Sequence, residues 1–167
     1  MQKKFSMNYY QWINNLMLFD HECSKSECYC STKKIFSYQE NKKKFEIKNP
    51  ASLNICQYRI DGCVISTSTQ LKCDCAYTIS DGSSINKIIF VELKGSDICH
   101  AAKQIICTYN SFKSDIKKIS PTPQVEAFII HSRSPSATQS DYLKFKKILN
   151  KESISLHQVR LMHSYQL

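Results

Sequence analysis

Glu92 and Lys94 stand two residues apart in the run Phe90-Val91-Glu92-Leu93-Lys94-Gly95, with Asp74 upstream. On a strand, both side chains of such a pair leave the same face, because successive residues alternate. Asp81-Gly82-Ser83-Ser84 has the composition of a hairpin loop. A loop centred on Ser83 pairs Ile79 with Lys87 and, in the same register, Asp74 with Glu92. Directly opposed residues hold their Cβ atoms about 5 Å apart. Two carboxylates that close repel unless a cation lies between them, and oxygen ligands select a hard divalent ion. Such an ion, Mg²⁺ or Mn²⁺, lowers the pKa of a bound water and neutralises phosphate charge. Lys94 is then placed to hold that water, assist its deprotonation or stabilise developing charge. The carbonyl of Leu93 points sideways from the strand and offers a further metal ligand. A slip of one residue would turn Asp74 away.

Other residues could extend this chemistry. Gln104 falls one turn into the following helix, beside His100 and Lys103, where it would orient water or a phosphate. Arg59 and Asp61 lie two apart on the preceding strand, as an extension of the site or as a structural ion pair. His21, Cys23, Cys28 and Cys30 gather four soft ligands within ten residues. They are candidate zinc ligands, although Cys-x4-Cys and Cys-x-Cys are unusual spacings for tetrahedral N/S ligation. Cys63, Cys73 and Cys75 read as small core hydrophobes, the last two facing away from Asp74. Lys42, Lys43, Lys44, Arg133, Lys144, Lys146, Lys147 and Arg160 are candidate phosphate contacts.

These residues need elements to position them. Tyr10, Ile13, Leu16 and Met17 predict a helix over 7–19, and residues 20–50 read as polar and irregular. A strand is expected from Ile55 to Ile65, and Leu71 to Ile79 alternates as a second. Lys87 to Lys94 is apolar on both faces until its end, as a doubly covered central strand requires. Ser96 or Asp97 can cap a helix running from Ile98 to Ile119, which Pro121 and Pro123 close. Val125–Ile130 is a buried strand, 136–150 a second amphipathic helix, and 154–162 an edge strand. The expected fold class is a three-layer α/β domain, with a mixed central sheet and helices on both faces. Residues 1–167 form one domain: an N-terminal helix and Cys-rich extension to 50, a core over 51–135, and a C-terminal helix and strand over 136–167.

The chain carries 23 Lys and Arg against 14 Asp and Glu, a net charge of +9, which favours polyanionic partners. Nothing at the start resembles a secretory signal, since polar residues interrupt any apolar core, and no apolar run is long enough to span a membrane. A cytoplasmic location with reduced thiols is therefore expected for the nine cysteines.

Asp74 at the head of a strand, a β-turn, then Glu92-x-Lys94 on the next strand and a helix, resembles the signature of the PD-(D/E)xK nuclease superfamily. The likeness covers about residues 55–132, and the residue before Asp74 is Cys73 where the motif has proline. It implies a restriction-endonuclease-like core and a Mg²⁺- or Mn²⁺-dependent phosphodiesterase. Asp74 and Glu92 would be metal ligands, Lys94 the catalytic lysine, and Gln104 an assisting residue near the metal. DNA is the expected substrate, in a restriction, repair, mobile-element or defence context, with a homodimer needed to cut both strands. The rivals are an RNA-cleaving effector nuclease, a catalytically silent binding module and a zinc-organised interaction protein.

Overall fold

The computed structural model describes residues 28–82, 84–94, 96–132 and 139–167. In chain order the elements are β1 (Cys28–Ser31), β2 (Ile35–Glu40), β3 (Lys43–Lys48), β4 (Asn54–Arg59), β5 (Cys75–Ser80), β6 (Ile85–Lys94), α1 (Ile98–Lys118), β7 (Gln124–His131), α2 (Gln139–Lys151), β8 (Ile154–Arg160) and β9 (Met162–Gln166). The expected helix over 7–19 lies outside the described residues, as do His21 and Cys23.

Six strands form one mixed sheet in the order β1-β4-β5-β6-β7-β8. The first four pair antiparallel, while β6, β7 and β8 run parallel. Parallel neighbours need crossovers, and α1 and α2 supply them. α1 starts as expected: the Asp97 side chain accepts from His100 N at 2.9 Å, satisfying one of the amides that a helix start leaves unpaired.

The continuous apolar character of β6 has a direct cause, since both faces of the strand are covered. On one face Ile88 and Phe90 pack with Ala101, Ile105 and Tyr109 of α1 and Leu149 of α2. On the other, Ile89, Val91 and Leu93 pack with Phe36, Phe45 and Ile47. Those last three belong to a separate three-stranded sheet, β2-β3-β9. The expectation of helices on both faces is therefore corrected: among the described residues, both helices cover one face and a small sheet covers the other.

The small sheet also corrects the reading of residues 20–50 as irregular. Alternation is present in β3, where residues 43, 45 and 47 point inward, but residue 43 is a lysine and masks the apolar period. β9 escaped notice for a related reason, since its five residues are mostly polar and half-exposed. It joins β3 as a parallel partner. Tyr165 of β9 donates to buried Glu126 of β7 at 2.6 Å, and Lys87 of β6 pairs with the same carboxylate oxygen at 2.8 Å. This network ties the small sheet to the large one. Asn49, fully buried, holds the β3–β4 connection by donating to the carbonyls of Lys33 and Leu53 and accepting from Leu53 N.

Phe45 is the central contact between the sheets, with ring centroids 5.0 Å from Phe128 and 5.8 Å from Tyr77. Phe45→Ala is expected to destabilise the protein by about 3–5 kcal/mol, measured by denaturant unfolding. A loss under about 1 kcal/mol would show that the small sheet contributes little to stability.

Candidate active site

β5 and β6 pair with Ile79 opposite Lys87 and Cys75 opposite Val91, so the expected register holds. The next opposed pair is Asp74 and Glu92, where side chains take over from the backbone ladder. Leu93 N donates to Asp74 Oδ2 at 2.6 Å, and Asp74 N donates to Glu92 Oε2 at 3.1 Å. Each carboxylate thus has one oxygen fixed by the neighbouring strand. The other oxygens, Asp74 Oδ1 and Glu92 Oε1, have no hydrogen bond among the described residues, and neither is sealed from solvent. The N–H and C=O of a strand residue leave by the same edge, so the Leu93 carbonyl also faces the Asp74 side.

The expected strand Ile55–Ile65 ends early, at Arg59. A turn follows, closed by Ile65 N donating to Ile60 O at 3.0 Å, with Gly62 at φ +79°. Only glycine adopts that backbone freely. The turn leans on the site, since Ile60 N donates to the Asp74 carbonyl at 2.9 Å. Asp61 is on it, paired with Lys72 at 3.3 Å. Arg59 instead donates to the Asp61 carbonyl at 3.0 Å, so it braces the turn.

α1 holds the approach to Asp74 from the opposite side. Gln104 Nε2 donates to the Lys72 carbonyl at 2.8 Å, and Gln104 Oε1 accepts from Lys94 Nζ at 3.1 Å. Lys94 Nζ lies 4.0 Å from Glu92 Oε1. Thr108 Oγ1 accepts from Cys73 N at 2.8 Å and donates to the Gln104 carbonyl. Sequence reasoning missed Thr108, although it lies four residues beyond Gln104 and so on the same helix face. Lys103 turns away, with its ammonium over the Phe145 ring of α2.

Glu92 is only 2 % exposed. Burial pushes its carboxyl up to about 9, the Asp74 charge adds to the rise, and Lys94 opposes it. Asp74 is pushed up to about 6, again by burial first, with the amide of Leu93 opposing. Such a pair strongly favours a cation. Among the described residues no three or more His, Cys, Asp or Glu side chains gather as a metal cluster. Two carboxylates and a carbonyl suit Mg²⁺, which retains several waters and binds one or two carboxylates together with substrate phosphates. Beside the pair, Asp61, Ser66, Ser68, Gln70, Lys72 and Gln104 line a cleft of about 380 Å³.

The cysteine readings change. Strand pairing sets Cys30 directly opposite Cys56, and the two form a disulfide, so Cys30 is corrected as a zinc ligand and as a reduced thiol. Cys28 is buried, its sulfur 3.9 Å from that of Cys63, which is itself disulfide-bonded and so is also corrected as a reduced thiol. Cys73 and Cys75 do not share a face: Cys73 packs in the helix-side core and Cys75 in the small-sheet core, because β5 begins only at Cys75. Burial pushes both thiols up, which keeps them protonated. Among the basic candidates, Lys43 is buried, Lys44 pairs with Glu46 and Lys144 with Asp141, while Arg133 lies outside the described residues. Among the described residues no helix is long and apolar enough to cross a membrane.

Compared with known proteins, the chain matches no family model, no curated protein and no solved structure.

Two outcomes follow from this geometry. Between the ordinary carboxylate range and about pH 9, the folded chain keeps the Glu92 proton that the unfolded chain releases. The metal-free fold should therefore lose stability as pH rises through that window, since stability falls wherever the folded state holds more protons. Thermal unfolding in chelator should show a melting temperature several degrees lower at pH 8.5 than at pH 5.5, about 2–4 °C per kcal/mol. Glu92→Gln should flatten that slope; an unchanged slope would exclude Glu92 as its source. Thr108→Val keeps the shape but leaves the Cys73 amide unpaired, and should destabilise by about 1–3 kcal/mol, with Thr108→Ser close to wild type in the same unfolding assay.

Proposed function

We propose that this chain is a metal-dependent phosphodiesterase of the PD-(D/E)xK type, a nuclease with DNA as its favoured substrate. One observation carries the reading. Leu93 N–H binds Asp74 and Asp74 N–H binds Glu92, which leaves one oxygen of each carboxylate without a hydrogen bond among the described residues, with Lys94 Nζ 4.0 Å from that of Glu92. A purely structural pair of buried carboxylates has no reason to be set face to face, because each raises the free energy of the other's charged form.

The two free oxygens, with the Leu93 carbonyl, would hold Mg²⁺ or Mn²⁺. When bound, the ion supplies an activated water and charge neutralisation at the phosphate. The chain's own groups do the rest. Asp74 and Glu92 are held by backbone amides, so they need not reorganise when charge develops. Lys94 stands at the rim of the pair, where its ammonium can position a water or a phosphate oxygen. Gln104 fixes that ammonium through Oε1 and, through Nε2, fixes the segment leading to Asp74. The cleft beside Lys72 gives the substrate backbone a place to lie. The net charge of +9 supports a polyanionic substrate. Cutting both strands of a duplex would require two such sites, and hence two copies of the chain.

Incubation with plasmid DNA, linear DNA and RNA in Mg²⁺ or Mn²⁺ tests this. Cleavage is expected in metal, none in chelator, and Lys94→Ala should lower the rate by about 10²-fold or more. No cleavage of any substrate, with no divalent-ion binding by calorimetry, would overturn the reading.

A further inference from the structure

Lys94, His131 and Arg160 are successive partners in register across β6, β7 and β8, at the carboxyl ends of all three strands. Alternation places them on the helix-bearing face. Ile88 and Phe90 precede Lys94 on that side, Ala127 and Ile129 precede His131, and Ile154 and Leu156 precede Arg160. Side-chain contacts agree: Lys94 reaches Gln104 of α1, and His131 Nε2 lies 3.4 Å from Gln158 Nε2, two residues before Arg160 on the same face of β8. His131 is 7 % exposed and forms the floor between its neighbours, whereas Arg160 is exposed. Among the described residues no carboxylate forms an ion pair with Arg160.

We propose that Lys94, His131 and Arg160 form a row that binds the phosphodiester backbone of the nucleic acid, leading away from the Asp74–Glu92 pair; this rests on the nuclease reading. Strands sit about 4.8 Å apart, so the row spans about 10 Å, the reach of two or three successive phosphates at about 3.4 Å of axis per nucleotide in one strand. It crosses the strands in a definite sense. Asp74 and Glu92 lie at its β5–β6 end, the Lys94 ammonium follows, and Arg160 stands at the outer edge. Ligands of open α/β sheets gather outside the carboxyl ends of parallel strands. α1 begins at that same edge, and the partial positive charge of its N-terminus favours an anion there. Lys94 is thus shared between the cleavage centre and the row, which fixes where the backbone passes over the carboxylates. His131 and Arg160 contact the flanking phosphates.

The test measures anisotropy of short labelled DNA duplexes and RNA in chelator, titrated with wild type and variants from about 50 to about 200 mM salt. Arg160→Ala, on an exposed side chain, should weaken binding about five-fold and reduce the salt slope by about one. His131→Gln keeps an amide within reach of Gln158 and should weaken binding in the same direction, with the double variant binding more weakly than Arg160→Ala alone. Lys118→Ala, at the opposite end of α1, should change neither quantity. Wild-type affinity and slope in Arg160→Ala and in the double variant, each with an unchanged melting temperature, would overturn the row while leaving the nuclease reading intact. A wild type that binds neither DNA nor RNA would overturn both together.

Discussion

A carboxylate removed from water must find hydrogen-bond donors or keep its proton, and Glu92 does both. Its Oε2 accepts from the Asp74 amide, and burial holds its carboxyl far above the usual range. Asp74 in turn accepts from the Leu93 amide. This reciprocal arrangement exists because β5 stops pairing one residue before the backbone ladder would have supplied those amides with carbonyls. Much of the architecture keeps that stopping point in place. The turn after β4 donates to the Asp74 carbonyl, while Gln104 and Thr108 of α1 hold residues 72 and 73 from the other side.

The layers explain why the strand carrying Glu92 can hold such a group. β6 is covered by helices on one face and by the small sheet on the other, so it is rigid along its length. Between Lys87 and Glu92 the strand is wholly apolar, and its polar residues Glu92 and Lys94 come at its end, just before α1. A site built on the ends of packed strands is held more firmly than one built on loops. The cleft beside Lys72 is bounded by the less regular segment that follows the Gly62 turn, which gives it shape without disturbing the sheet.

The centre of the chain was legible in the sequence because several signals agreed there. The hairpin composition at 81–84 centred the loop on Ser83 and so set Asp74 opposite Glu92, while the apolar run of β6 and the cap at Asp97 placed the strand and the helix after it. Gln104 was legible as a polar residue on the first turns of the helix, and the structure brings it to Lys94. The small sheet was illegible because its inward face carries Lys43 and because its third strand is remote in sequence. The cysteines misled for another reason: Cys30 meets Cys56 only through the pairing of β1 with β4, which no local spacing announces. Thr108 was hidden because its partner is a backbone amide, and backbone amides have no sequence signature.

The hook from β8 into β9 has a consequence for how the chain acquires its structure. A single turn at Leu161 carries the backbone from the edge of the large sheet to the small one, where residues 162–166 run alongside 44–48. Pairings this remote raise contact order, and non-local sheets form slowly because a long loop must close before any contact rewards it. During vectorial synthesis, β2 and β3 emerge early but lack their third strand until the last residues of this stretch leave the ribosome. Until then the aromatic face of β3 has only an incomplete cover, a surface open to mispairing or to chaperones. The sheet behind the Asp74–Glu92 pair therefore closes only once residues 162–166 have been made, so its assembly waits on a strand remote from the pair in sequence.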